Sequence, residues 1–278
     1  MEDHPVILSI AGSDCSGGAG IQADIKTISA LGGFATSAIT AITVQNTLGV
    51  RAVQTISSDI IYGQIEAVME DLHPIAVKIG MINDMEAVRV IADCLRKYQP
   101  RYTVYDPVMV STSGRKLMTE EAIEEIKKEL FPLVTLITPN LDEASVLTHK
   151  EIHSKEDMQE AAYTLHKEYQ TNVLIKGGHL TGDYVCDLLY TCDNTYYIYE
   201  EKKIESRNLH GTGCTLSSAI ATYLSKGYSL QEAIRHAKTY ITQAIIAGKD
   251  LKIGHGNGPL WHFPDSVAQK CAFCAIES

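Results

Sequence analysis

Short, almost unbroken apolar runs alternate along this chain with longer segments whose apolar residues recur at helical spacing, and few folds accommodate that rhythm. The spacing predicts strands at Val6–Ala11, Thr36–Val44, Ile75–Ile79, Thr103–Asp106, Thr135–Thr138 and Val173–Lys176. Between them it predicts helices at Ile21–Leu31, Ile60–Leu72, Met85–Tyr98, Glu120–Leu130 and Glu156–Tyr169. Strands with no polar face are buried on both sides, so the expected class is α/β: a mostly parallel central sheet with helices on both faces. Past Gly182 the rhythm changes. Val185–Tyr190, Tyr196–Glu200 and Lys203–Ser206 follow one another closely and read as a short antiparallel edge, before two more helices at Cys214–Ser225 and Leu230–Ala247. With no repeat, linker or break in composition, residues 1–278 are expected to form one domain, with no element assigned after about residue 263.

Charge and cysteine usage narrow the partners. Lys and Arg number 24 against 34 Asp and Glu, a net charge of −10, which argues against a surface built for nucleic acid or an anionic membrane. The first residues carry acids where a signal peptide needs a basic start, and no apolar run approaches the ~18 residues of a membrane span, so a cytoplasmic protein is expected. Seven scattered cysteines suit reduced thiols better than a disulfide framework. Cys271 and Cys274 have metal-ligand spacing, but no second pair or histidine stands near them, and no metal is assigned there.

In sheets of this kind ligands bind beyond the carboxyl ends of the strands, so the residues closing each strand carry the information. The loop Gly12–Gly20 lacks the Lys-Ser/Thr of a phosphate-binding Walker loop. It does fit a dinucleotide pattern at Gly18–Ala23, yet no acid for a ribose occurs from Ile25 through Ser58, which sets that reading aside. A second glycine motif, His210-Gly211-Thr212-Gly213-Cys214-Thr215, opens an apolar helix, where successive amides can converge on an anion. A cysteine in that first turn feels the helix dipole, so Cys214 is expected to have a lowered pKa and to serve as base or nucleophile. An ordinary small buried cysteine is the plain alternative. Asp106, closing a strand, with Asn140 and Glu143 at the next strand end, could arrange a hydrated Mg2+, and Lys176 could neutralise phosphate charge. Taken together these groups fit phosphoryl transfer, where catalysis is mostly positioning and charge neutralisation.

The run A-G-S-D-C-S-G-G-A-G-I-Q-A-D at Ala11–Asp24 resembles the N-terminus of the hydroxymethylpyrimidine and phosphomethylpyrimidine kinases of thiamine biosynthesis, in the ribokinase-like superfamily. So do T-V-Q-N-T at Thr43–Thr47, K-I-G-M at Lys78–Met81, D-P-V-M-V at Asp106–Val110 and T-P-N-L-D-E at Thr138–Glu143. L-I-K-G-G-H at Leu174–His179, H-G-T-G-C-T at His210–Thr215 and G-H-G-N-G-P at Gly254–Pro259 complete the series, in order, between Val6 and His262. The resemblance implies a three-layer ribokinase-like sandwich that uses ATP and Mg2+ to phosphorylate 4-amino-5-hydroxymethyl-2-methylpyrimidine and then its monophosphate. It implies that Gln45 holds the pyrimidine ring, with Gly12, Asp24, Met81 and Val108 shaping the pocket. Gly211, Thr212 and Gly213 would form the anion hole and Cys214 would act as base. Lys176 and Asn140 would face ATP, Asp106 and Glu143 would face Mg2+, and Met109 to Leu117 would form a flap over the substrate. A homodimer is also implied. The nearest competing activity is that of pyridoxal kinases, which pair the catalytic cysteine with a second one in the flap; Pro107 to Met118 contain none. A catalytically silent nucleotide-binding protein on the same fold is the rival of another class, against which Asp106, Glu143, Lys176 and Cys214 stand intact.

Overall fold

A computed structural model describes residues 4–110, 117–178 and 182–264 and carries one nine-stranded sheet. The chain begins with β1 (Val6–Asp14), α1 (Gly20–Ala30), β2 (Phe34–Asn46), β3 (Gly49–Thr55), α2 (Ser58–Asp71) and β4 (Ala76–Ile79). It continues through α3 (Met85–Tyr98), β5 (Tyr102–Tyr105), α4 (Glu120–Glu129), β6 (Leu136–Ile137), α5 (Leu141–Thr148) and α6 (Lys155–Tyr169). β7 (Asn172–Gly177), β8 (Tyr184–Tyr190), β9 (Tyr196–Lys202), α7 (Thr212–Ser225) and α8 (Leu230–Gly248) complete it. Strand order is β3-β2-β1-β4-β5-β6-β7-β8-β9. The block from β2 to β7 is parallel, while β3, β8 and β9 pair antiparallel at the two edges.

Side chains alternate across the sheet with the period of two that a strand imposes. Leu8, Ile10, Tyr105, Ile137, Val173 and Ile175 pack with α2, α3, α4, α5 and α6, whereas Ile7, Val104, Leu136 and Leu174 pack with α1, α7 and α8. These are the two faces that the apolar strands required. Asp84, Thr119, Ser154 and Ser229 each accept a bond from the third residue of the helix they precede, a cap that contributes about 1 kcal/mol.

Three expectations need correction. Gly49–Thr55, not predicted, is an edge strand: it joins β2 across a turn at Thr47 and Leu48, and its mostly exposed, mixed residues give no apolar run to read. The segment Lys203–Ser206 is not a strand, because pairing ends where Tyr184 meets Lys202 and the partner strand has begun only there. Leu141–Thr148 is a helix of only 8 residues, too short to display a period. Cys271, Cys274 and most of the segment from Met109 to Leu117 lie outside the described residues.

Candidate active site

Carboxyl ends of the parallel strands and the N-terminus of α7 enclose a cleft of about 800 Å3. Gly12, Gln45, Met81, Val108, Asp106, Asn140, Glu143, Lys176 and the run Gly211–Cys214 all line it. Asp24 does not.

At one end the cleft is charged. Lys176 Nζ lies 2.6 Å from Asp106 Oδ1 and 3.9 Å from Glu143 Oε2. Asp106 is fully buried; its Oδ1 also accepts from Thr138 Oγ1 at 3.2 Å, while Oδ2 has no hydrogen-bond partner among the described residues. A buried carboxylate oxygen in that condition calls for a ligand. Burial opposes the charge on Lys176, but the neighbouring Asp106 and Glu143 outweigh it and hold its pKa above the ordinary value. Burial also pushes Glu143 up to about 7, against the pull of Lys176. The spacing of Asn140 and Glu143 has a local cause as well: they form a capping box, in which Asn140 Oδ1 accepts from Glu143 N and Glu143 Oε2 from Asn140 N, each at 2.8 Å. Asn140 therefore spends its side-chain oxygen on α5 and keeps only its NH2 for a ligand.

α7 starts from Gly211, whose φ of 87° belongs to the left-handed region and whose missing Cβ would stand 1.8 Å from Gly18 O. The two glycine loops thus dock directly on each other. A Cβ on Gly213 would sit 3.0 Å from Asp106 Oδ2 and 3.4 Å from Lys176 Nζ, so the helix start is pressed against the charged pair. The Thr212 amide donates to Leu209 O at 3.3 Å, so of the expected anion hole the amides of Gly211 and Gly213 carry most, joined by that of Cys214 in the open first turn. The expected low pKa of Cys214 is overturned. Its side chain keeps partial exposure to the cleft, but burial pushes the thiol up to about 11, against the pull of Lys78 and a hydrogen bond from the Gly20 amide. In this site desolvation outweighs the neighbouring lysine and the amide bond.

The other end is organised by groups that sequence reasoning passed over. Gln45, near the end of β2, places its amide nitrogen 3.0 Å from His210 Nε2, and the same ring nitrogen lies 2.8 Å from Asp14 Oδ2. The backbone of Gln45's loop is fixed from the far end of the chain: Thr47 Oγ1 accepts from the amides of His255 and Gly256, both at 3.2 Å, and Thr47 O from Asn257 N at 3.0 Å. His210 N in turn donates to Gly258 O at 3.1 Å. One segment, Gly254–Pro259, therefore holds Gln45 and His210 in register. Met81 and Gly12 touch across the wall, where a Cβ on Gly12 would meet Met81 Cε at 2.5 Å. Asp24, expected in the pocket wall, is instead fully buried behind it, with both its oxygens on Lys78 Nζ at 2.9 and 2.8 Å. A charge with that many protein partners gains nothing by facing the cleft.

Val185, Ile204, Leu216, Ile241 and Ile245 also line the cleft, interleaved with the charged Glu201, Lys202, Lys203 and Arg207. No motif marks them, although Ile241 and Ile245 stand one turn apart on α8.

What this cleft can do is set a neutral, hydrogen-bonding pocket and a phosphate-neutralising pocket on either side of a helix N-terminus, at the strand ends of a ribokinase-like sheet. The fold and site define a small-molecule kinase. More narrowly, the chain belongs to the phosphomethylpyrimidine kinase family, whose sequence profile matches residues 14–261. A hydroxymethylpyrimidine/phosphomethylpyrimidine kinase of Rhizobium meliloti is 49% identical over 259 residues, 93% of this chain and 97% of that protein. The crystal structure of a phosphomethylpyrimidine kinase from Clostridium difficile superposes with a TM-score of 0.77 at 48% identity, over 87% of this chain and 99% of that one. An ADP complex of Bacillus subtilis pyridoxal kinase superposes with a TM-score of 0.88 at 34% identity, over 95% of this chain and 100% of that one.

Proposed function

We propose that the protein transfers the γ-phosphoryl group of ATP to the hydroxymethyl oxygen of 4-amino-5-hydroxymethyl-2-methylpyrimidine, and then transfers a second to the resulting monophosphate. The observation that carries this reading is the cleft itself, with Gln45 at one end, the Lys176–Asp106 pair at the other, and the first turn of α7 between them. An amide donates and accepts at once, which suits Gln45 to an aminopyrimidine edge, with Gly12, Met81 and Val108 around the ring. The apolar side chains Val185, Ile204, Leu216, Ile241 and Ile245 take the adenine, and Lys176 with the NH2 of Asn140 faces the phosphates. Backbone amides of Gly211, Gly213 and Cys214 receive the charge developing on the transferred group. Cys214, in its thiolate form, takes the hydroxymethyl proton and becomes the thiol; because burial holds most of it as thiol, the thiolate fraction and with it this step grow as pH rises. Mg2+ fits the unpartnered Oδ2 of Asp106, with Glu143 beside it, bound through water and nucleotide oxygens; it would add neutralising charge at the phosphates. The reading extends to a cytoplasmic homodimer; no helix of the described residues is long and apolar enough to cross a membrane.

Likeness to pyridoxal kinases supports a second activity on pyridoxal, which the cysteine-free stretch 107–118 makes the weaker one. ATP consumption measured with the pyrimidine alcohol, its monophosphate and pyridoxal offered separately decides the matter. Both pyrimidines are expected to be phosphorylated, with kcat/KM above that for pyridoxal, and the reverse order would overturn the assignment.

A further inference from the structure

The groups around Asp14 settle a question about Gln45. Four donors converge on the Asp14 carboxylate: Ser16 N at 2.9 Å and Ser16 Oγ at 2.7 Å on Oδ1, and Ala19 N at 2.9 Å and His210 Nε2 at 2.8 Å on Oδ2. Such a carboxylate is ionised and only accepts. Although burial works against the charge, the bonds from His210 and Ser16 prevail and lower its pKa to about 2. His210 Nε2 must therefore carry a proton and donate it. With the Gln45 amide nitrogen 3.0 Å from that same ring nitrogen, two donors would face each other. Turning the amide by half a rotation puts Oε1 there instead, where it shares the single Nε2–H with Asp14 Oδ2 in a three-centre bond, and the two ends of an amide are told apart by partners of this kind. The ring is not free to swing away: a Cβ on Gly18 would lie 2.4 Å from His210 Cδ2, and Pro259 closes over the same loop.

We propose that His210, with its proton fixed on Nε2 by Asp14, is a positioning residue that sets the hydrogen-bond order of Gln45, holding Oε1 on the ring and turning the NH2 toward the acceptor. The inference rests on the proposed function and deepens it, because a fixed amide selects substrates by the order of their groups. A ring that offers an acceptor nitrogen beside an exocyclic amine meets its complement. A ring with that order reversed, a carbonyl beside an N–H, sets donor against donor.

The test uses the full chain with ATP and two acceptor probes, the 4-amino pyrimidine alcohol and its 4-oxo counterpart. The wild-type protein is expected to prefer the amino probe in kcat/KM by at least about 100-fold, as sites built to pair polar groups do. His210→Phe removes the donor and should reduce that preference by about tenfold or more, mainly through KM for the amino probe, with ADP affinity retained as the sign of an intact fold. His210→Gln returns an N–H and should restore part of the preference. Independently of any variant, 15N spectra of the wild-type histidine rings should show His210 protonated on Nε2. A bare Nε2, an unchanged preference in His210→Phe, or a loss as large in His210→Gln would overturn the inference. Failure of the wild-type protein to phosphorylate the amino probe would overturn the functional reading itself, and the ring spectrum would still judge the Asp14–His210 pair.

Discussion

Two lysine–aspartate pairs flank the start of α7, and they differ in what their carboxylates have left over. Asp24 is filled: Lys78 donates to both oxygens, Ser9 Oγ to Oδ2 at 2.6 Å and Ser218 Oγ to Oδ1 at 2.7 Å. Asp106 has Lys176 and Thr138 on one oxygen and no partner for the other among the described residues. Both carboxylates are buried, so burial alone does not separate the two pairs; hydrogen-bond satisfaction does. The filled pair ties β1, α1, β4 and α7 together, through Ser9, Asp24, Lys78 and Ser218. The unfilled one faces the cleft, where the proposed function puts the metal and the phosphates.

Cys214 lies within the field of both pairs, and its replacement has the largest expected effect. Cys214→Ala should slow phosphorylation of the alcohol by about 10²–10⁴-fold, the usual contribution of a general base, with little change in ATP affinity. The monophosphate acceptor is already ionised near neutral pH, so its phosphorylation should fall less. Equal falls in purified, folded protein at saturating ATP would show that Cys214 positions the acceptor and moves no proton.

Next in size is the contrast between the lysines. Lys78→Met strands the Asp24 charge in the interior and should cost about 3–5 kcal/mol of stability by denaturant unfolding. Lys176→Met should cost less, because Asp106 and Glu143 stand close enough for one to take up a proton, yet it should reduce turnover by about 10²–10³-fold. Equal losses of stability in the two variants would break the distinction drawn here.

The smallest effect sharpens the unfilled side. Glu143 has a folded-state pKa raised to about 7, so the stability it contributes is present in full below its ordinary pKa of 4.5 and is lost as pH rises through about 7. Glu143→Gln should remove that decline, leaving a flatter difference in unfolding free energy between pH about 5 and pH about 8. A wild-type decline that the substitution leaves intact would place the titration elsewhere.

Most of the parallel sheet was legible because a strand buried on both faces is apolar almost throughout, as Val6–Ala11 is apart from Ser9 and Val173–Ile175 is entirely. The edge strand Gly49–Thr55 was not, since one exposed face relaxes that requirement. Strand-end logic singled out Asp106, Glu143 and Lys176, which the fold brings together in one cleft. It could not tell Asp24 from Asp106, because filled and unfilled carboxylates look alike until their donors, brought from Ser9 and Ser218, are in place. The thiol of Cys214 was misjudged for a related reason: a helix start is visible in Gly-Thr-Gly-Cys, whereas the desolvation around it is assembled from distant segments. Asp14 and His210 stood inside quoted motifs, but 196 positions separate them, and only the folded chain shows that they share a proton.

The docking of Gly254–Pro259 onto Thr47 and His210 bears on how the protein is made. Strands β1 to β7 can pair as the chain leaves the ribosome, N-terminus first. The Gln45 end of the cleft cannot, because its two sides are held in register by a segment that emerges after α8. On the proposed function, a chain cut short after α8 would keep the sheet and the Lys176–Asp106 pair while losing the segment that fixes the groups meant to choose the acceptor.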